Sequence, residues 1–231
     1  MNKEQEFLES IKSGDLAKLE DLLRTDPSLI GVRTEQGVSS LMLAVYYNQE
    51  RVVDFLVDRV TELNIHEATA LGRLDRVESL SQDDPATLDP FSPDGFTPLA
   101  LAAYFGHTKV VNWLLEHGAD PNISARNATK VMPLHSAAAQ KDSVAAVAIS
   151  KDLLDHGAQV NARQQAGWTP LHQAAASGNA ELLKLLLSHG ADRSATSEDG
   201  RTPIQMAEAN NHSYAVEILR QHEALEVRND G

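Results

Sequence analysis

Residues 169 to 192 read Thr169-Pro-Leu-His-Gln-Ala-Ala-Ala-Ser-Gly-Asn-Ala-Glu-Leu-Leu-Lys-Leu-Leu-Leu-Ser-His-Gly-Ala-Asp192. The Thr-Pro step opens a helix: the hydroxyl can cap the first turn, and proline at the first helical position lacks an N–H that would have gone unpaired there. Ala174 and Ala175 are small enough to let helices approach closely, and Gly178 ends the short helix with a residue that tolerates left-handed φ. Leu182, Leu183, Leu185, Leu186 and Leu187 then form an apolar stripe along a second helix, which Gly190 closes. Two short helices cannot bury both apolar faces by themselves, so the segment requires neighbours built like itself.

The neighbours are present. Thr97-Pro98-Leu99-Ala100-Leu101-Ala102-Ala103 and Met132-Pro133-Leu134-His135-Ser136-Ala137-Ala138 repeat the opening, and Thr202-Pro203-Ile204 begins a further copy. Weaker copies start at Gln5, Ser39 and Leu63, giving start-to-start spacings of 34, 24, 34, 35, 37 and 33 in a chain of 231 residues, or seven times 33. The pattern resembles the ankyrin repeat, whose Thr-Pro-Leu-His, paired Ala, Gly, Leu-rich run and closing Gly-Ala-Asp are met almost in full by residues 169 to 192. The resemblance implies an all-α fold: an ankyrin-repeat solenoid of stacked helix-turn-helix pairs with β-turn fingers between them. A single domain over residues 1–223 is expected, with units starting near 5, 39, 63, 97, 132, 169 and 202 and a flexible tail over 224–231. The first and last units read as polar caps, the first through Gln5-Glu6-Phe7-Leu8 and the last through Glu208, Asn210, Asn211, His212 and Ser213.

Two departures from the average unit stand out. The 24-residue step carries the chain from Leu56 through Asp58-Arg59-Val60-Thr61-Glu62 straight into the next first helix, so one finger is missing. The fifth unit has a finger two residues longer, without the turn glycine, across Asn127-Ala128-Thr129-Lys130-Val131, and gains four residues around Ser143 to Lys151. A notch and a bulge are therefore predicted on either side of the fourth unit.

Composition limits the function. Twenty Lys+Arg against 33 Asp+Glu give a net charge of -13 and a pI near 5.0, which argues against nucleic acid as a partner because phosphate neutralisation needs a basic face. Residues 1–90 carry nine basic and eighteen acidic side chains, and residues 91–231 carry eleven and fifteen. Electrostatic steering is therefore expected from the amino-terminal half, toward a partner with a basic surface. Hydrophobic residues make up 42% but aromatics only 5%, a balance that suits helical packing better than a β-sandwich. The absence of cysteine excludes disulfides, thiolate zinc sites and cysteine nucleophiles. Neither a signal segment at Met1–Phe7 nor an apolar run of membrane-spanning length is present, so no membrane partner is expected and the location is read as cytoplasmic.

Nine histidines in an acidic chain raise the question of a metal site. Phase answers it: His66, His135 and His172 fall on the motif histidine, His107 and His212 follow the first helix, and His117, His156 and His189 precede the closing glycine. Only His222 is left over, and neither a metal nor a cofactor is expected. There is no Gly-x-Gly-x-x-Gly, no phosphate loop and no Gly-x-Ser-x-Gly elbow. The acid pairs Asp83-Asp84 and Glu198-Asp199 read as solvated loops, and Asp26-Pro27 and Asp84-Pro85 as turn devices. An enzymatic reading rests on His135, Lys141, Asp142 and Asp152 alone, without nucleophile-base spacing, so the chain is read as non-catalytic.

In proteins of this resemblance, contacts to partners come from finger tips, from the residue before the Thr, and from the two residues between the Ala pair and the Gly. Those positions hold Tyr46, Tyr47, Phe96, Tyr104, Phe105 and Trp168 here, six of the eleven aromatics. Met132, Gln140, Gln164 and Gln165 are further candidates. The reading is a non-catalytic protein-protein interaction module that holds a protein or peptide on its concave face and finger tips. The alternative is a homo-oligomeric scaffold, with a monomer as the expected state. The same rings could also shield seams, Phe105 and Tyr47 between units and Phe96 against an adjacent finger.

Overall fold

The structure, a computed structural model, describes residues 2–81 and 87–229, with side chains as far as Gln221. Among these residues fourteen α-helices form consecutive pairs: α1 (Lys3–Ser13) with α2 (Leu16–Thr25), α3 (Ser40–Tyr46) with α4 (Glu50–Val57), α5 (Ile65–Ala70) with α6 (Leu74–Ser81), α7 (Pro98–Phe105) with α8 (Thr108–Glu116), α9 (Pro133–Ala138) with α10 (Ser143–Asp155), α11 (Pro170–Ser177) with α12 (Ala180–Ser188), and α13 (Pro203–Ala209) with α14 (Ser213–Asn229). The first helices of successive pairs pack in an inner row and the second helices in an outer row. No strand forms among the described residues, where an isolated antiparallel bridge joins Arg33 to Ser39. Helix α14 extends into the stretch read as a tail from 224. Asp83-Asp84, Asp84-Pro85 and the side chain of His222 lie outside the described residues.

Local chemistry builds each unit. Thr97 Oγ1 accepts from the Ala100 N–H at 3.2 Å and Ser39 Oγ from Met42 at 3.2 Å, while Met132 holds the same position before α9 with no side-chain cap. The fingers close on themselves, with Thr34 N–H donating to Val38 at 2.9 Å, Ser92 to Phe96 at 2.8 Å and Gln164 to Trp168 at 2.9 Å. They also bond side by side: Arg126 N–H to the Gly95 carbonyl, Gln165 to Thr129 and Glu198 to Ala166, at 2.8, 2.9 and 2.8 Å. In the long fifth finger Lys130 takes the left-handed turn (φ 51°) that Gly95 makes in the fourth (φ 90°), so the conformation survives the loss of the glycine.

Histidines fasten the stack. His66, His135 and His172 each direct Nε2 at a carbonyl at or beside the following finger, those of Pro90, Ala162 and Arg201, at 2.9 to 3.1 Å. His107 and His212 reach back to the Ala70 and Ala176 carbonyls of the preceding pair at 2.9 and 3.1 Å, a task that Gln49 and Gln140 perform elsewhere by donating to Lys12 and Tyr104. His117, His156 and His189 turn back to carbonyls four residues earlier. Asn122 and Asn161 make a third set of ties, each accepting from a backbone N–H of the next unit (Gln159 and Asp192) and donating to the Gly157 or Gly190 carbonyl.

The buried core falls into two main parts. Phe7, Ile11, Leu19, Leu41, Val52 and Leu56 serve the first two pairs, and a longer cluster runs from Ala68 and Val77 through Leu114, Leu153 and Leu182 to Leu219. The break coincides with the 24-residue step. The predicted notch is not open, because the second finger lies directly against the fourth, so closely that a Cβ on Gly37 would stand 3.0 Å from Pro93 Cβ. A third cluster of Val38, Met42, Ala70 and Leu101 fills the gap, with Tyr46, Phe96 and Phe105 packed around it. Glu67, only 5% exposed, links the two parts: it accepts from Ser39 Oγ at 2.6 Å and from the Asn64 N–H at 3.0 Å.

The four residues gained in the fifth unit go into helix. α10 has 13 residues where α8 and α12 have 9, close to one added turn, so the buried stripe of Ala146, Ile149 and Leu153 keeps its phase. Val144, at the outer end of the added turn, is 76% exposed.

Candidate functional site

A cleft of about 550 Å³ opens on the concave side between the inner helices and the fingers. Its walls are Tyr46 and Tyr104, from the last turns of α3 and α7, with Asp94 and Phe96 from the fourth finger and Gln164 from the sixth. Ala100, Leu101, Ser136 and Gln173 complete the lining, with the exposed Ala139 at its edge. Repeat phase explains the hollow: Ala139 stands in the position that Tyr104 occupies one unit earlier, so a ring on one unit faces a methyl on the next. The pinched step matters as well, since it brings Tyr46 of the second pair to the finger of the fourth. The Tyr46 hydroxyl donates to Asp94 Oδ2 at 2.6 Å, and Ser92 Oγ donates to Oδ1 at 2.6 Å. Burial first, and then the Asp94 bond, push the Tyr46 hydroxyl well above its ordinary pKa, so it remains a donor.

Asp94 is the formal charge among the lining groups. His135 also lines the cleft, but burial lowers its pKa to about 4 against the opposing effect of its bonds to the Trp168 and Ala162 carbonyls, and it is neutral at physiological pH. A second groove of about 600 Å³ adjoins the first and shares Tyr46 and Asp94 with it, continuing over Tyr47, Leu8, Glu4, Glu9 and Glu35 toward the first pair.

The residues singled out from sequence separate into groups. Tyr46, Phe96, Tyr104 and Gln164 meet in the cleft, and Tyr47, 49% exposed, lines the adjoining groove. Phe105 is half-buried and supports the others, with its ring 6.0 Å from Tyr46 and edge-on to Tyr104 at 5.1 Å. Trp168 packs half-buried on the core beside His172. Met132 is half-buried ahead of α9 and Gln165 is exposed in the sixth finger, and neither lines the cleft. Gln140 commits its amide to the Tyr104 carbonyl.

Asp94, Ser136, Ala139 and Gln173 line the cleft beside these candidates. The finger-tip rule covers Asp94, and Ser136 and Gln173 each follow a motif histidine, so phase could have flagged all three. Ala139 escapes because its contribution is a missing side chain.

His135, Lys141, Asp142 and Asp152 do not assemble into a reacting group. His135 is bonded to carbonyls, Asp142 caps α10 through the Val144 and Ala145 N–H groups, and Asp152 lies ten residues further along that helix, about 15 Å away. Among the described residues no cluster of three His, Asp or Glu is placed to hold a metal ion, and no helix is long and apolar enough to cross a membrane.

The repeat is matched by comparison with known proteins: the family model for ankyrin repeats, in three copies, matches residues 65–164 and 134–230. The chain belongs to the ankyrin-repeat family. It is 32% identical over 192 residues to the ankyrin repeat protein nuc-2 of Neurospora crassa, covering 78% of this chain and 17% of that one. A probable 26S proteasome regulatory subunit, p28 of Saccharomyces cerevisiae, is 29% identical over 179 residues, 71% of this chain and 75% of its own. The putative ankyrin repeat protein YahD of Escherichia coli is 29% identical over 195 residues, 80% and 95% of the two chains. The ankyrin-repeat chain thus spans about a sixth of nuc-2 but most of p28 and YahD. Ankyrin repeats as a class mediate protein-protein interaction.

Proposed function

We propose that this ankyrin-repeat chain is a non-catalytic binding module that holds a protein or peptide segment along its concave face, with the Tyr46-Tyr104 cleft as the anchoring point. The observation that carries this reading is the cleft itself. Its lining comes from the second, fourth, fifth and sixth units, and it leaves Tyr104 49% exposed in a cleft also lined by the small side chains of Ala100, Ser136 and Ala139. Aromatic groups over a hollow are the usual anchors of interfaces, because one ring removes a large apolar area from water at little entropic cost. The relation to a proteasome regulatory subunit, a component of a protein assembly by its name, agrees with this reading.

The test is capture from a lysate of the source organism on the immobilised chain, with the double variant Tyr104→Ala and Gln173→Ala as control. Both side chains line the cleft and neither is fully buried. The variant is expected to lose the captured protein while melting within about 4 °C of the wild type, since changes away from buried features cost little. Undiminished capture by a folded variant would remove the cleft from the interface.

A further inference from the structure

Asp94 lines the cleft together with the rings of Tyr46, Phe96 and Tyr104. Among the described residues no ion pair includes its carboxylate, and neither Lys nor Arg lines the cleft. Its two oxygens are held in place by one hydroxyl each, from Tyr46 and Ser92, and its backbone is fixed by Asn127 Nδ2 on the Asp94 carbonyl at 2.8 Å. A carboxylate oxygen has two acceptor directions, so each retains one for an incoming donor. The rings of Phe96 and Tyr104 also line the cleft, and aromatic rings attract cations over their faces.

The adjoining groove extends the same charge. Glu4, Glu9, Glu35 and Asp94 line it against two cations, Lys12 and Arg33. Lys12 is paired with Glu9 at 2.7 Å, and Arg33 Nη1 donates to the Gly37 carbonyl at 3.2 Å.

We propose that the cleft at Asp94 is a socket for an arginine side chain of a basic partner segment, with the guanidinium forked on the Asp94 carboxylate and stacked against Tyr104 and Phe96. The proposal rests on the concave-face reading and adds the chemistry of the residue that is bound. Arginine fits better than lysine because its planar fork matches a carboxylate with one acceptor direction free on each oxygen, and because it stacks on rings. The rest of the segment, running toward the first pair, would meet the carboxylates of Glu4 and Glu35 and favour further basic residues.

The test uses the full chain, isotope-labelled, titrated with N-acetyl-arginine amide and followed by amide chemical shifts, with N-acetyl-norleucine amide as the uncharged control. Saturable shifts are expected at Asp94, Phe96, Tyr104 and Gln173 with arginine and not with norleucine. Asp94→Asn should weaken the binding about tenfold or more, and raising ionic strength to about 1 M should weaken it further as charge attraction is screened. Because Asp94→Asn also alters the bonds to Tyr46 and Ser92, a second variant, Ala139→Lys, places a cation on the exposed edge of the cleft and should block the probe while leaving the rest of the spectrum unchanged.

Equal shifts with norleucine, or none with either probe, would overturn the proposal, and so would full binding to Asp94→Asn. If the probe fails while Tyr104→Ala with Gln173→Ala still abolishes capture, the interaction surface stands and only the arginine socket falls. If the probe binds and capture is unaffected, the socket stands and the surface assignment falls.

Discussion

Asp89 occupies the position at which Asn122 and Asn161 tie their units to the next, and it is chemically one atom wrong for that task. Its Oδ2 accepts from the Asp120 N–H at 3.2 Å, as an asparagine oxygen would, but Oδ1 is buried without a partner among the described residues where the asparagines present an N–H₂ to a glycine carbonyl. Burial, reinforced by the nearby Asp120 charge and opposed by the Asp120 N–H, holds the Asp89 carboxyl above its usual pKa. Asp89→Asn should complete the ladder on the Gly118 carbonyl and stabilise the fold by about 1 kcal/mol, read as a melting temperature about 2–4 °C higher at neutral pH. The sign with pH follows from the raised pKa. The ionised carboxylate costs stability above its folded-state pKa, and the cost fades as pH falls through that value toward the unfolded one. The gain of the variant should therefore shrink in acid, and a constant or negative difference across a pH series of melting curves would show that Oδ1 is satisfied in some other way.

Residues of this kind mark the limit of what the sequence discloses. The spacing of Asp89 from Pro90 and Phe91 is ordinary, and its mismatch is visible only once Asn122 and Asn161 are seen bonding across the stack. His135 was legible as a structural histidine because its function depends on motif phase alone. Finger-tip phase marks Asp94, but its bond to Tyr46, a residue 48 positions earlier that reaches it across a missing finger, is not legible in the sequence.

At the scale of elements, the junction between α3 and α5 is where the buried core divides. The finger ladder that runs from the fourth unit to the seventh does not extend to the second. Glu67 is a polar link across the junction beside the Tyr46–Asp94 bond, taking Ser39 of the second unit on one oxygen and its own helix cap on the other. Glu67→Ala would leave the Ser39 hydroxyl and the Asn64 N–H without this partner and should cost about 2–4 kcal/mol, the range for removing bonds to a buried charged group. In a repeat array stability is close to a sum of unit and interface contributions, so weakening one interface separates the array at that point. Hydrogen exchange should then show residues 2–57 of the variant opening at lower free energy than residues 97–219, with denaturant unfolding in two steps. A single coincident transition in both regions would mean that the aromatic cluster around Leu101 couples the two parts without Glu67. Thr-Pro marks the starts of α7, α11 and α13 in the sequence, whereas Ser39 and Asn64 cap the two helices of this junction. The packing of the junction was not legible, because a 24-residue spacing reports the loss of a finger without saying what moves into the space.

For the whole molecule, that loss is what creates the site. With a finger at every unit, the second and fourth fingers would be separated by a third, Gly37 could not approach Pro93, and Tyr46 would lie out of reach of Asp94. Removing one finger from the row while keeping its helix pair draws the concave side together around α5, and the Tyr46, Phe105 and Tyr104 rings converge there. The reverse change can be made. Inserting a finger of about ten residues between Val60 and Leu63, patterned on residues 159–168 of this chain, should be tolerated, since loop length costs little in closure entropy. The inserted chain should still melt cooperatively, because the helix pairs and both cores are retained. Its radius of gyration by X-ray scattering should increase as the fingers spread, and the arginine probe should lose its localised shifts because the Tyr46 wall has moved away. If the insertion leaves both the radius and the probe response unchanged, the added finger has been extruded from the row and the closure at Gly37 and Pro93 is strong enough to exclude it. The curvature would then be set by the aromatic cluster itself, with the missing finger only permitting it.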